Sequence, residues 1–484
     1  MDDAKQTLLP HPGEMTSVNV LLISTYELGR QPFGLASPAA FLRNAAAQVA
    51  CLDLSLQRLD HDAVKHADLV ALYVPMHTAT RIALAVLDKV VELNPSAHIC
   101  AYGLYAPVSA EILRRHGVHS ILGGEFEEGL VALMRRLRAK LEAADAGARA
   151  DAGIVGVETQ AEPEISLARQ RFLVPDRGDL PPLVEYAHLT AADGSRRTVG
   201  YTEATRGCKH LCRHCPVVPV YGGLFRVVQP EVVLADIEQQ VGAGAEHITF
   251  GDPDFFNGPK HAAEIVGALH ERHPDLTYDV TIKVEHLLAH ADLLPLLRDT
   301  GCAFVTSAIE SVDDRVLEIL DKGHTRDDFV EVVRLFDAAD LALQPTFVAF
   351  TPWITLDGYA DLLNTLVELD LIDNLPSIQL AIRLLIPAGS RLLELPEVDD
   401  LVGEFDPISL GYPWDHTDPR VDELQQDIEA LVEHAGEDAS RREIFAQAWE
   451  LLRGHLDHPA AALPPVPPGR SRPTIPYLSE PWYC

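Results

Sequence analysis

Three of the chain's seven cysteines fall within eight residues, Cys208-Lys209-His210-Leu211-Cys212-Arg213-His214-Cys215. Thiolates are soft donors, and three of them on one short loop can hold three irons of a cubane iron–sulfur cluster. The fourth iron is then open to a ligand from outside the protein. The same loop offers His210 and His214, either of which would complete a four-coordinate zinc site. Knuckle-type zinc sites pair their ligands across a spacer, and no second pair follows downstream. The odd total argues against a disulfide framework. Cys51, Cys100 and Cys302 lie in apolar surroundings and read as small core residues.

A loop of this kind must be positioned by the elements around it. From 198 to 386 short apolar runs alternate with amphipathic ones. Strands are expected at 198–204, 247–250, 278–282, 304–309, 342–350 and 378–385, with helices at 230–242, 260–272, 286–299, 312–320, 326–339 and 356–371. Six βα repeats make a partial parallel barrel, three-quarters of an eightfold closure, with reactive groups at the C-terminal strand ends. The cysteines come directly after the first of these strands. Residues 18–141 show the same alternation, with strands at 18–24, 69–74, 98–102 and 119–122 and helices at 39–50, 79–93, 109–117 and 127–141. That pattern gives a doubly wound parallel sheet of four or five strands, which places ligands beyond the strand C-termini. Between the two regions, 142–170 reads as a solvated linker and 171–197 as an extended lead-in. Residues 387–457 are mostly helical and acidic, with 421–434 and 441–453 as packing helices. The final segment, 458–484, holds eight prolines and reads as an extended tail ending in Cys484.

The 484 residues include 39 Lys and Arg against 72 Asp and Glu, a net charge of −33. Such a balance disfavours a nucleic-acid backbone or an anionic membrane as partner. Hydrophobic residues make up 47% of the chain, as in a globular protein. No run is long enough for a membrane span, and residues 1–16 lack the apolar region of a signal peptide. The cytoplasm is the default expectation.

The cysteine spacing, after the first strand of a partial barrel, resembles the signature of the radical S-adenosylmethionine (SAM) superfamily over about 198–386, with His214 at its usually aromatic position. The resemblance implies a [4Fe–4S] cluster on Cys208, Cys212 and Cys215 whose unique iron chelates the amino and carboxylate groups of SAM. Reductive cleavage would then yield methionine and a 5′-deoxyadenosyl radical. Phe250-Gly251-Asp252-Pro253-Asp254 stands where the superfamily receives the SAM ammonium, so Gly251 and Asp252 are implied there; a plain turn is the other reading. Thr306-Ser307-Ala308-Ile309-Glu310-Ser311 stands where an acid accepts the ribose hydroxyls, which implies Glu310 and its neighbour Ser307; a helix-start acid is the alternative. Lys283, Glu285 and Arg383 are placed at the barrel mouth as candidates for substrate or SAM carboxylate binding, with Lys283 and Glu285 also candidate catalytic groups; the alternative is a solvated rim. Pro345-Thr346 puts the fifth strand along the chamber.

The first region resembles the flavodoxin-like cobalamin-binding domain that precedes many radical SAM barrels, with Gly123 and Gly124 where the corrin or its nucleotide tail approaches. The Asp-x-His-x-x-Gly motif that supplies a histidine to cobalt is absent, and His77 is the nearest substitute. Two readings follow: cobalamin bound without a lower-ligand histidine, or a retained scaffold. Ser479-Glu480-Pro481-Trp482-Tyr483-Cys484 resembles the tail of a radical SAM group named for a Cys/Sec-Cys-Ala-Glu-Pro ending, as do the flanks Phe172-Leu173-Val174-Pro175-Asp176-Arg177 and Cys215-Pro216-Val217. Leu478-Ser479 occupies the place of the vicinal pair, so only the Cys484 thiol is left as a candidate catalytic or soft-element ligand. The implied function is SAM-dependent radical modification of a small molecule, with a flavodoxin or ferredoxin as electron donor and cobalamin-dependent methyl transfer as the leading reaction. Transfer of another SAM fragment or a rearrangement, on a soft element such as arsenic among others, is the alternative within the class. An iron–sulfur electron carrier or sensor is the alternative outside it.

Overall fold

The computed structural model describes residues 17–145, 160–190, 194–435, 439–457, 475 and 477–478. The first sheet is six-stranded: β1 (Asn19–Ser24), β2 (Gln48–Asp53), β3 (Leu69–Tyr73), β4 (His98–Tyr102), β5 (Ser120–Gly124) and β6 (Ile165–Ser166), in the order β2-β1-β3-β4-β5-β6 and parallel throughout. Its central strands are buried on both faces, as continuous apolar runs require. Leu22, Leu69, Ala71 and Tyr102 face the helices Phe33–Asn44 and Glu127–Asp145, while Leu21, Ile23, Val70 and Leu72 face His77–Leu93 and its neighbours.

Two sequence expectations fail in this sheet. The expected helix 39–50 instead begins at Phe33 and ends at Asn44, Ala46 turns the chain at φ 60°, and β2 follows. An edge strand that buries only its last three residues gives no long apolar run. The expected linker 142–170 is docked where it is described: β6 pairs with β5, and Arg136 holds Glu162 at 2.9 Å. Pro38 sits inside the first helix and has no N–H for the carbonyl of Gly34. The Tyr102 hydroxyl donates to that carbonyl instead, at 2.7 Å.

The second half of the chain begins with β7 (His188–Thr190) and β8 (Arg196–Thr202). A small hairpin of β9 (Thr205–Gly207) and β10 (Phe225–Val227) follows. Then come β11 (His247–Phe250), β12 (Thr277–Thr281), β13 (Cys302–Glu310), β14 (Leu343–Phe347) and β15 (Tyr477–Leu478). Apart from the hairpin these strands form one sheet, in the order β14-β13-β12-β11-β8-β7-β15. The five strands from β8 to β14 are parallel and curl into a half-barrel, and β7 and β15 extend its edge antiparallel. The expected strand 378–385 is a helical turn, Ser377–Leu380, followed by a single bridge between Phe350 and Arg383. Gln379 takes the place of its ladder: its side-chain carbonyl accepts the Phe347 N–H at 2.8 Å. β14 is therefore an edge strand, which tolerates Pro345. The helices Pro419–His434 and Arg441–His455 bury Leu424, Ile428, Phe445 and Trp449 in the barrel's own core. β15 returns the tail to β7, and residues 479–484, with Cys484, lie outside the described residues.

A Cβ on Gly34 would stand 2.2 Å from the buried Tyr73 ring. Gly34→Ala is expected to cost about 1–3 kcal/mol, a drop of roughly 2–4 °C in Tm per kcal/mol at this domain size, read by scanning calorimetry. An unchanged Tm would contradict this packing.

Candidate functional site

The cysteine loop does not leave the first barrel strand directly. After β8 the chain turns through Ala204, and Asp252 fixes that turn by accepting the Ala204 N–H at 2.9 Å and the Thr205 hydroxyl at 2.6 Å. The hairpin of β9 and β10 comes next, and residues 208–224 loop between its strands. Gly207 has φ 78°, and the Tyr221 ring and the Leu224 carbonyl occupy the space its Cβ would need. Asn257 clamps the loop's base, accepting the Lys209 N–H at 3.1 Å and donating to the Gly207 carbonyl at 3.0 Å. Arg213 donates to the carbonyls of Glu318 and Ile319, at 2.9 and 2.8 Å. These carbonyls end the helix Asp314–Ile319, where a cation is favoured. Ser390 and Arg391 donate to the carbonyls of Arg213 and Leu211, at 3.0 and 2.7 Å.

The three thiols stand close enough that Cys212 and Cys215 oppose ionisation of Cys208. Burial pushes Cys208 up to about 12 and Cys215 up to about 11, while the backbone N–H groups of His210 and Val217 partly counter it. A bound cation reverses this balance and deprotonates its thiol ligands. The donor set fits three irons of a cubane. No fourth thiol stands at this mouth among the described residues: Cys51 and Cys100 belong to the first sheet, and Cys302 opens β13 at the opposite end of the barrel.

Glu310 closes β13 in the left-handed region, φ 70°. Its Oε1 lies 3.2 Å from both Lys322 Nζ and His214 Nε2. Burial would raise this carboxyl, but the Lys322 ammonium and the His214 ring outweigh it and hold Glu310 far below the usual carboxylate range. Ser307, fully buried, has an Oγ with no hydrogen-bond partner. Gly251 lies under the Tyr201 phenol, which fills the position of a Cβ, and burial pushes Asp252 up to about 7. Lys283 and Glu285 form an ion pair with each other. Arg383 stacks over Trp414 at 3.6 Å and pairs with Asp422 at 2.6 Å.

Arg206, two residues before Cys208, is buried between the two sheets. Its guanidinium reaches Glu127 at 2.7 and 3.0 Å, Glu203 at 2.6 Å and Glu125 at 3.6 Å. The rings of Phe33, Phe126 and Phe172 surround it at 5.0–5.6 Å. Beside it, two cavities of about 200 and 250 Å³ share Leu28, Arg30, Tyr201, Gly251 and Pro253. The smaller lies beyond the C-terminal ends of the first sheet, the crevice where doubly wound folds bind ligands, and the larger is lined by Thr249, Asp279, Thr281, Phe304, Thr306 and Gln344 of the half-barrel strands. Three buried atoms at or near this crevice lack hydrogen-bond partners, Ser24 Oγ, Glu27 Oε2 and Arg30 Nε, so a polar group fits there. Among the described residues no imidazole lines these cavities: His77 starts a helix and bonds the Ser409 carbonyl. Gly123 and Gly124 end β5, and Pro107 and the Ser166 carbonyl take the space of their missing side chains. Sequence reasoning missed Lys322, Asn257, Asp254 and His286; the Lys322-Gly323-His324 turn was the one local sign.

The family profile described as the radical SAM superfamily matches residues 202–348. The tRNA-2-methylthio-N(6)-dimethylallyladenosine synthase of Sulfurihydrogenibium sp. (strain YO3AOP1) is 24% identical over 281 residues, 53% of this chain and 61% of that one. The bacteriochlorophyllide d C-8(2)-methyltransferase of Chlorobaculum tepidum (strain ATCC 49652 / DSM 12025 / NBRC 103806 / TLS) is 26% identical over 208 residues, 39% of this chain and 44% of that one. The chain thus spans about half the length of these curated relatives. The cobalamin-dependent SAM radical enzyme OxsB, solved with aqua-cobalamin bound, superposes with a TM-score of 0.63 at 14% identity, over 91% of this chain and 72% of that one, and so shares the fold. Among the described residues no helix is long and apolar enough to cross a membrane. With the thiol triad at the mouth of a parallel half-barrel, residues 202–348 are a radical SAM domain.

Proposed function

We propose that this chain is a radical SAM enzyme that cleaves SAM reductively to modify a small molecule. The single observation that carries the reading is the thiol triad at the mouth of the half-barrel, buried at Cys212 and half-buried at Cys208 and Cys215, with no fourth thiol beside it among the described residues. Cys208, Cys212 and Cys215 would hold the [4Fe–4S] cluster, which when bound supplies the electron that cleaves the sulfonium. The remaining roles belong to the chain. Glu310 stays ionised between Lys322 and His214 and accepts the ribose hydroxyls. Ser307 Oγ, buried without a partner, donates to the same ligand. Asp252 has both oxygens engaged by Ala204 and Thr205, so it shapes the turn while the Gly251 backbone meets the ammonium. Lys209 and Arg226, with Arg169, line a groove of about 550 Å³ beside the cysteine loop. On a chain of net charge −33 this local basic surface suits an acidic one-electron carrier such as a flavodoxin or ferredoxin.

Methyl transfer with cobalamin in the crevice is the leading reaction. It is supported by the fold shared with OxsB, the methyltransferase among the relatives, and the partnerless atoms of Ser24, Glu27 and Arg30. A corrin would sit there without a histidine ligand. The small size of the cavity in the crevice, about 200 Å³, favours a second reading, transfer of another SAM fragment without cobalamin.

Anaerobically reconstituted protein given dithionite and SAM is expected to release SAM-derived products, 5′-deoxyadenosine among them, read by liquid chromatography. Cys212→Ala should lose the brown chromophore and the release together; full release from that variant would overturn the reading. The visible spectrum of protein grown with hydroxocobalamin separates the two reactions.

Lys322→Met removes the main cation from Glu310, and burial then drives that carboxyl upward. In the wild type the Glu310 contribution is complete above its unfolded pKa of about 4.3 and is lost as pH falls below it. The variant should be less stable by about 3–5 kcal/mol at neutral pH, with the gap narrowing as pH falls towards 4. Urea unfolding across pH checks this, and a gap independent of pH would contradict it.

A further inference from the structure

Beside the thiol loop three side chains from three separate elements converge, two imidazoles on one carboxylate. His210 belongs to the cysteine loop, Asp254 to the turn after β11, and His286 to the helix Val284–Ala289 that follows β12. Asp254 is fully buried, and its Oδ1 is used by the Phe256 N–H at 3.1 Å. Its Oδ2 has no hydrogen-bond partner, and neither has His210 Nε2 or His286 Nδ1; all three atoms are buried. They face each other nonetheless. Oδ2 lies 2.7 Å from His286 Nδ1 and 3.5 Å from His210 Nε2, and the three donor atoms fall within 4.8 Å of one another. Three buried lone-pair atoms that crowd together off hydrogen-bond directions are costly unless something binds them.

We propose that His210, Asp254 and His286 bind a first-row divalent cation. Two imidazoles and one carboxylate form a borderline donor set of the kind that holds zinc or ferrous iron with coordination positions left open. At metal–donor distances of about 2.0–2.1 Å, neighbouring donors of a tetrahedral set stand about 3.3 Å apart. The 2.7 and 3.5 Å separations bracket that edge. The outer partners of such a site are present as well. His210 Nδ1 lies 3.1 Å from Glu285 Oε2. A carboxylate behind the imidazole fixes the tautomer and leaves Nε2 free for the metal. Glu285 is itself fixed by Lys283 and by the close approach of Gly323, whose missing Cβ would stand 2.5 Å from Oε1. The set is chemically distinct from the thiols and independent of the SAM reading. The open positions place a Lewis acid near the barrel mouth, suited to an anionic oxygen or nitrogen donor of the substrate.

The test loads cluster-reconstituted protein with zinc(II) or cobalt(II), removes weakly bound metal by gel filtration, and measures metal content and the cobalt d–d bands. One equivalent of zinc beyond the cluster irons is expected in the wild type and in Cys212→Ala. His286→Ala and Asp254→Asn should lose it. Glu285→Gln, which leaves all three ligands in place, should weaken zinc binding by about 10–100-fold. Circular dichroism establishes that each variant is folded. No retained zinc in the wild type, zinc retained by His286→Ala, or zinc lost by Cys212→Ala would each overturn the proposal, the last by assigning the metal to the thiols.

Discussion

One guanidinium ties the two halves of this molecule together. Arg206 stands two residues before the first cysteine of the triad and is paired with carboxylates from both sides: Glu127 from the helix that follows β5, Glu203 from the turn after β8, and Glu125 behind them. A planar fork satisfies Glu127 with two parallel hydrogen bonds, which an ammonium cannot copy. Burial would raise Glu127, but the charge and hydrogen bonds of Arg206 outweigh it and hold that carboxyl below its usual range. Glu125, more weakly served, is pushed up to about 7 by burial. An uncompensated charge in this place costs several kcal/mol, so neither sheet can shift without the other. The position of the thiol loop is therefore set partly by the domain in front of it.

Local geometry then refines what Arg206 positions coarsely. Asp252, Asn257 and Arg213 each hold the loop from a different element, and none of them contributes a soft donor. Glu310 is presented by a residue in the left-handed region, where a non-glycine side chain is held only by strong surroundings. Here these are Lys322 and His214. Such a site is preorganised before any ligand arrives. The low pKa of Glu310 means that no proton must leave when a hydroxyl donates to it.

How much of this the sequence disclosed depended on how local each feature is. The Cys208–Cys215 spacing, the apolar runs of β1, β3 and β4 and the helix-strand alternation are local and were legible. β2 was hidden because only Cys51, Leu52 and Asp53 of its six residues are buried, so its edge gave no apolar run. The sixth barrel strand failed for the opposite reason: 378–385 is apolar, but its burial comes from packing around a Gln379 side chain that replaces a ladder bond. Arg383 lies in that same stretch, and its partners Trp414 and Asp422 come from residues far along the chain. Lys322, His286 and Asp254 owe their importance to partners on other elements of the fold, which no short window of sequence brings together. The order of the two βα regions carried the architecture, while the pairing of buried charges did not show in periodicity at all.

The central claim is that three thiolates leave one corner of a cubane open to SAM. Mössbauer spectroscopy of protein reconstituted with ⁵⁷Fe tests it most directly, because it resolves individual irons of a [4Fe–4S] cluster. The account predicts four irons per chain, of which one changes its isomer shift and quadrupole splitting when SAM is added while the other three keep theirs. Four equivalent irons indifferent to SAM, or a spectrum without cubane iron, would contradict it.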